Sequence, residues 1–206
     1  MSKQTPANLA KMVKTEERFA RSTNLQFDFL DDSLIPDYKF TRKSVDLLQQ
    51  ILECTEGKNN DRAWSIIGPY GSGKSIFSLL AIKLLSFSDS GWINRSFEQL
   101  NVFSPETYEK FENSSLKKTR GYVPITVQGS SSSLDIALCE ALLDATEYPA
   151  GMPSWASAEF IEDIKVNIET LETGLSGASL VIDLYQKAIG LAKAQGYKGL
   201  LIAVDE

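Results

Sequence analysis

The feature that most confines this 206-residue chain is one loop, Gly68-Pro-Tyr-Gly-Ser-Gly-Lys-Ser75. It fits Gly-x4-Gly-Lys-Ser/Thr without deviation, which chance alone would give in roughly 1% of chains this long. Ala63 to Ile67 ahead of it is a short apolar run, predicted as a buried strand. Ile76 to Leu85 behind it is apolar and free of glycine and proline, predicted as a helix under a sheet. Glycines at 68, 71 and 73 predict positive φ and a backbone whose N–H groups close around a phosphate without interference from a Cβ. A helix starting at Lys74 adds free N–H groups and the positive end of its dipole. In that arrangement Lys74 reaches β- and γ-phosphate oxygens and the Ser75 hydroxyl serves Mg²⁺.

Composition removes several other chemistries. The chain has no histidine, which excludes Ser-His-Asp and Cys-His pairs, histidine bases and the common zinc sites. The two cysteines, Cys54 and Cys139, form no Cys-x-x-Cys and read as reduced, buried apolar side chains. Lysine and arginine total 21 against 27 aspartate and glutamate, a net charge of −6 that offers no broad basic field for nucleic acid. No apolar leader and no run of about 18 apolar residues appears, so a soluble cytoplasmic chain without a membrane span is expected. The length suits one α/β domain with an appended part.

Along the chain, residues 1–40 read as a polar lead-in draped over a domain. Thr41 is placed to cap a helix with Val45, Leu48, Ile51 and Leu52 on one face, ending near Cys54. Residues 86–121 lose periodicity and are expected to make a surface excursion with one or two short helices. Tyr122 to Val127 is predicted as the second strand, irregular or near an edge at Pro124. Gly129 and Ser130 to Ser133 give a turn and cap, then Leu134 to Ala145 a helix. After a break at Tyr148 to Pro153, the stripe Ile161, Ile164, Ile168, Leu171 and Leu175 predicts a helix packed on its own domain. Leu180 to Ala194 predicts another helix, closed by Gly196. Gly199 to Val204 is a third, wholly apolar strand.

That strand runs into Asp205-Glu206. A carboxylate at the end of a buried strand is what a magnesium site beside the loop requires, with Asp205 on the ion through water and Glu206 as general base toward an attacking water. Together the residues resemble the Walker A and Walker B motifs of a P-loop NTPase, in the division holding the AAA+, STAND and RecA/HerA-like ATPases. In that division an extra strand separates the two motif strands and a glutamate follows the Walker B aspartate. The stretch Arg62 to Ser75, preceded by Tyr38-Lys-Phe-Thr41 and its helix, is similar to the front end of large bacterial ATPases, some of them in phage-defence systems.

The resemblance implies a three-layer α/β sandwich with a mainly parallel sheet, incomplete because the sequence stops at Walker B. Residues 41–206 would be the N-terminal part of an ATPase domain, with insertions at about 86–121 and 148–175. A fourth strand, flanked by the first and the Walker B strands, would come later in a longer polypeptide. The implied nucleotide contacts are Gly68, Pro69, Tyr70, Gly71, Ser72, Gly73, Lys74, Ser75 and Ile76, with Tyr38 and Phe40 as candidate base stackers or core aromatics. Lys74 and Glu206 are the implied catalytic residues, Ser75 and Asp205 the metal ligands, ATP and Mg²⁺ the cofactors. No Asn-Lys-x-Asp guanine reader is present, which favours ATP over GTP. Implied partners are the rest of the same chain and a homo-oligomer or partner protein, with nucleic acid only through the part not present. The expected function is a motor or switch ATPase; the alternatives are a nucleotide-gated interaction module with little hydrolysis and a small-molecule or nucleotide kinase.

Overall fold

A computed structural model describes residues 23–29, 31, 35, 38–57, 61–86, 91–129, 133–147, 154–174 and 177–205. Its elements in chain order are α1 (Leu25–Asp28), α2 (Arg42–Thr55), α3 (Lys74–Ser86), α4 (Gly91–Phe103), α5 (Pro105–Glu112), β1 (Tyr122–Gln128), α6 (Leu134–Asp144), α7 (Ala158–Glu172), α8 (Ala178–Ala194) and β2 (Gly199–Asp205). The chain is a mixed α/β fold in which β1 and β2 form a parallel two-strand sheet, Tyr122 opposite Gly199 through Gln128 opposite Asp205. Among the described residues no helix is long and apolar enough to cross a membrane.

Local chemistry sets the helix ends. Thr41 caps α2 reciprocally: its hydroxyl accepts from the Ser44 amide at 3.2 Å, and the Ser44 hydroxyl accepts from the Thr41 amide at 2.9 Å. Ser133 and Ser157 cap α6 and α7 through their hydroxyls. Gly196 closes α8 with φ +85°. The breaks at 130–132 and 148–153, and Leu175, lie outside the described residues.

Each strand alternates between two apolar clusters. Val123, Ile125 and Val127 join α6, α7 and α8 in one core, with Trp155, Phe160 and Ile164. Leu201 and Ala203 point the other way and pack on a second core built by α1 to α5. Helix α3 is buried almost all round, as a helix with no polar face must be. The stripe predicted for α7 packs inward as expected, with Ile164 and Leu171 buried.

The structure departs from expectation at four places. Ala63 to Ile67 is not a strand: residues 61–69 have no regular structure, and Ile67 is 91% exposed. An apolar run becomes a strand only where a neighbour satisfies its backbone groups, and the described residues supply none. For the same reason the expected larger sheet is present only as two strands. The lead-in supplies Leu25, Phe29 and Ile35 to the core. The excursion after α3 also does more than cover the surface, because Phe97, Leu100, Phe111 and Leu116 are buried there.

Two features orient α3. A Cβ added at Gly121, where φ is +73°, would lie 2.5 Å from the Leu85 carbonyl oxygen, so the end of α3 touches the start of β1. Helix α3 also packs along both strands. With its last turn at the start of β1, its N-terminus lies about 20 Å away along the helix, well removed from the amino ends of the strands.

Candidate functional site

That N-terminus carries the glycine loop. Within it the Ser72 amide donates to the Pro69 carbonyl at 3.2 Å, and the Phe77 amide starts the helical ladder on the Gly73 carbonyl at 3.0 Å. Among the described residues no backbone carbonyl accepts from the N–H groups of Lys74, Ser75 or Ile76. These are the orphan donors of a helix start, gathered at the positive end of its dipole. Gly71 and Gly73 hold φ of +75° and +82°, as predicted. Gly68 corrects the prediction: it is not left-handed, and its lack of a side chain matters because a Cβ would sit 3.0 Å from the Ser72 hydroxyl oxygen.

The Lys74 ammonium folds back over the loop and donates to the carbonyls of Gly68 at 3.1 Å and Pro69 at 3.3 Å. These are backbone acceptors within the same loop. Lys74, Ser75 and Ile76 are half-buried. Pro69, Gly71, Ser72 and Gly73 are exposed, and Tyr70, 95% exposed, stands clear of the loop and does not cover it.

Asp205 ends β2 beside Gln128, and its carbonyl accepts from the Gly129 amide at 2.9 Å. The loop lies at the end of α3 away from the start of β1, and Asp205 lies at the end of β2 away from its start at Gly199. Ser75 and Asp205 supply hard oxygen donors, the chemistry that Mg²⁺ takes from a protein when phosphates and water complete its shell. No group of three or more Cys, Asp or Glu among the described residues could hold a metal alone. Glu206 lies outside the described residues.

The two aromatic candidates belong to the core. Phe40 is buried, with its ring edge-on to Tyr38 at 5.2 Å and tilted against Phe103 at 6.4 Å. It offers no open face for stacking. Tyr38 is half-buried against the same cluster.

Two polar features escaped the sequence reading. Lys83 lies in the apolar run of α3, fully buried, its ammonium donating to the Asp31 carbonyl at 2.9 Å and lying 5.9 Å from the centre of the Phe29 ring. A lone lysine in an otherwise apolar helix was the available signal. The second is Glu56, whose Oε1 accepts from the Ser115 amide at 3.0 Å, the Ser115 hydroxyl at 2.7 Å and the Lys198 ammonium at 3.0 Å. Burial acts to raise this carboxyl's pKa, but the hydrogen bonds from Ser115 and Lys198 and the lysine charge outweigh it and hold it below the usual value. No local pattern links residues this far apart. A cavity of about 270 Å³ lies beside it between α2 and α5, lined by Glu53, Glu56, Glu106, Glu109 and Lys110 among others. Its acidic wall opposes phosphate, and it sits near the amino ends of the strands.

Both cysteines are buried free thiols, as the sequence predicted. Burial, with Asp135 and Glu140 nearby, pushes the Cys139 thiol up to about 11, so it is no nucleophile. Searches against protein-family models, curated proteins and solved structures return no match to this chain.

Proposed function

We propose that this chain is the ATP-binding and hydrolysing module of a motor or switch ATPase, working with Mg²⁺. The observation that carries the reading is the junction at residue 74. Three helix N–H groups without a backbone acceptor among the described residues, two left-handed glycines and a lysine held on the loop's own carbonyls are the parts of an anion site. On this reading the two strands and their flanking helices are part of a P-loop three-layer sandwich.

The residues would act as follows. Lys74 would leave the carbonyls of Gly68 and Pro69 for β- and γ-phosphate oxygens, while the amides of Lys74, Ser75 and Ile76 bind the same anion. Ser75 and Asp205 would hold Mg²⁺, which when bound offsets negative charge on the phosphates. Glu206 would take a proton from the attacking water. The product pair leaves when the loop relaxes, and this binding cycle would drive a partner subunit or protein in the cytoplasm.

Titration of the chain with MgATP beside a circular dichroism melt tests the reading. Lys74→Ala should weaken binding severely and leave the melt unchanged. Equal affinity in the variant removes the phosphate-loop assignment. Glu206→Gln should retain binding and lose phosphate release; unaltered release would favour a nucleotide-gated module whose hydrolysis is incidental.

A further inference from the structure

The polar tie at Glu56 stands at the far end of the sheet from the loop. Glu56 is the C-cap residue of α2, its amide bonded to the Leu52 carbonyl at 3.1 Å, so its carboxylate moves with that helix. Its three hydrogen bonds reach the segment before β1 through Ser115 and the residue before β2 through Lys198. The Lys198 ammonium also donates to the Ser115 hydroxyl, which closes a three-membered ring of contacts. The strands themselves move as one body: beyond their ladder, the Lys198 amide donates to the Gly121 carbonyl at 2.8 Å and the Arg120 amide to the Gly196 carbonyl at 3.1 Å. Elsewhere the sheet packs on α1, α3, α6 and α8 through apolar side chains, which slide and tilt more readily than a charge-assisted tie, and Glu56 supplies its link to α2.

We propose that Glu56 is a positioning residue: by fixing the amino end of the sheet to α2, it sets the place of Asp205 opposite Ser75. The inference rests on the nucleotide reading above. From Lys198 to Asp205 the strand spans about 23 Å, so a tilt of about 5° at its base moves the carboxylate by about 2 Å. A displacement of about 1 Å in a reacting group is enough to cost on the order of a hundredfold.

The test measures ATP affinity of the full chain with Mg²⁺ and with chelator, in the wild type, Glu56→Gln and Lys198→Met. The expected result is that the gain in affinity conferred by Mg²⁺ falls about tenfold in both variants, while metal-free ATP binds within about twofold of wild type. Glu53→Gln, which removes only the neighbouring contact to Lys110, should keep the full gain. An unchanged gain in folded Glu56→Gln overturns the proposal. If that variant does not fold at the assay temperature, Lys198→Met decides alone: it removes the tie to β2 and leaves Glu56 bonded to Ser115, and an unchanged gain in it is equally fatal. A wild type that binds ATP with no gain from Mg²⁺ overturns the metal site itself, a separate outcome.

Discussion

The Lys83 ammonium, wholly buried in α3, donates to the backbone carbonyl of Asp31 at 2.9 Å and so ties that helix to the chain's amino-terminal segment. A buried ammonium is costly unless its partners are in place, and its four-carbon stem also fills core volume. Lys83→Ala should therefore destabilise the chain by about 3 kcal/mol, combining lost packing with an orphaned carbonyl. Lys83→Met keeps the volume but still leaves the Asp31 carbonyl unbonded, and should cost about 1–2 kcal/mol. Urea unfolding measures both; equal losses would mean that the charge, and not the stem, dominates.

Ser75 and Asp205 are expected to share one ion, so alanine at either should weaken MgATP binding about tenfold or more and metal-free ATP binding little. Calorimetric titration with and without chelator separates the two. Equal losses under both conditions would end the shared-ion model.

Glu56 makes stability depend on acid. Its carboxyl is held below the usual value in the folded chain, so its contribution is complete above the unfolded value of about 4.3 and fades as pH falls through the folded one. The wild type should exceed Glu56→Gln in melting temperature at pH 7, with the gap closing between about pH 5 and pH 3. A gap independent of pH would show that shape alone matters at this position.

Gly121 and Gly174 are both left-handed, at +73° and +84°, but only Gly121 is crowded. Alanine at Gly174 meets nothing within 4 Å and should cost about 1 kcal/mol through backbone strain. Alanine at Gly121 must also push the end of α3 away and should cost about 3 kcal/mol or more. Thermal melts of the two variants compare strain alone with strain plus displacement.

The edge of β2 away from β1 has no partner among the described residues, and Ile202 and Val204 on its face are 47% and 63% exposed. Unpaired apolar strands pair with other chains. Light scattering should show concentration-dependent association that Ile202→Lys or Val204→Lys suppresses. A monodisperse monomer at high concentration would contradict this.

Much of the site was readable because its chemistry is local. The glycines, lysine and serine of residues 68–75 specify a turn and a helix start through their own backbone preferences, and Thr41 announces its cap through Ser44 three positions on. Ala63 to Ile67 was misread because apolarity reports burial, while a strand also needs a neighbour that no local window contains. Phe40 was ambiguous for a related reason, since only the packing of Phe103 and Tyr38 around it decides that its ring is internal. The Glu56, Ser115 and Lys198 tie was invisible because it joins residues scattered over most of the chain. Gly68 was misread because a glycine need not be left-handed: its φ is ordinary, and a Cβ there would meet the Ser72 hydroxyl at 3.0 Å.

The two apolar clusters occupy successive stretches of chain, with buried members at residues 25–116 in one and 123–197 in the other. Order of synthesis therefore matches order of assembly. The first half can collapse around α3 before the second has been translated, which keeps early contacts local. Strand β2 emerges after the buried members of both clusters and touches both halves, through Leu201 and Ala203 on one side and Leu200 on the other. It acts as the latch of the folding sequence. Nascent chains halted after residue 121 should already protect the amides of Leu79 and Leu80 from exchange, and chains halted before Gly199 should leave β1 unprotected until β2 arrives.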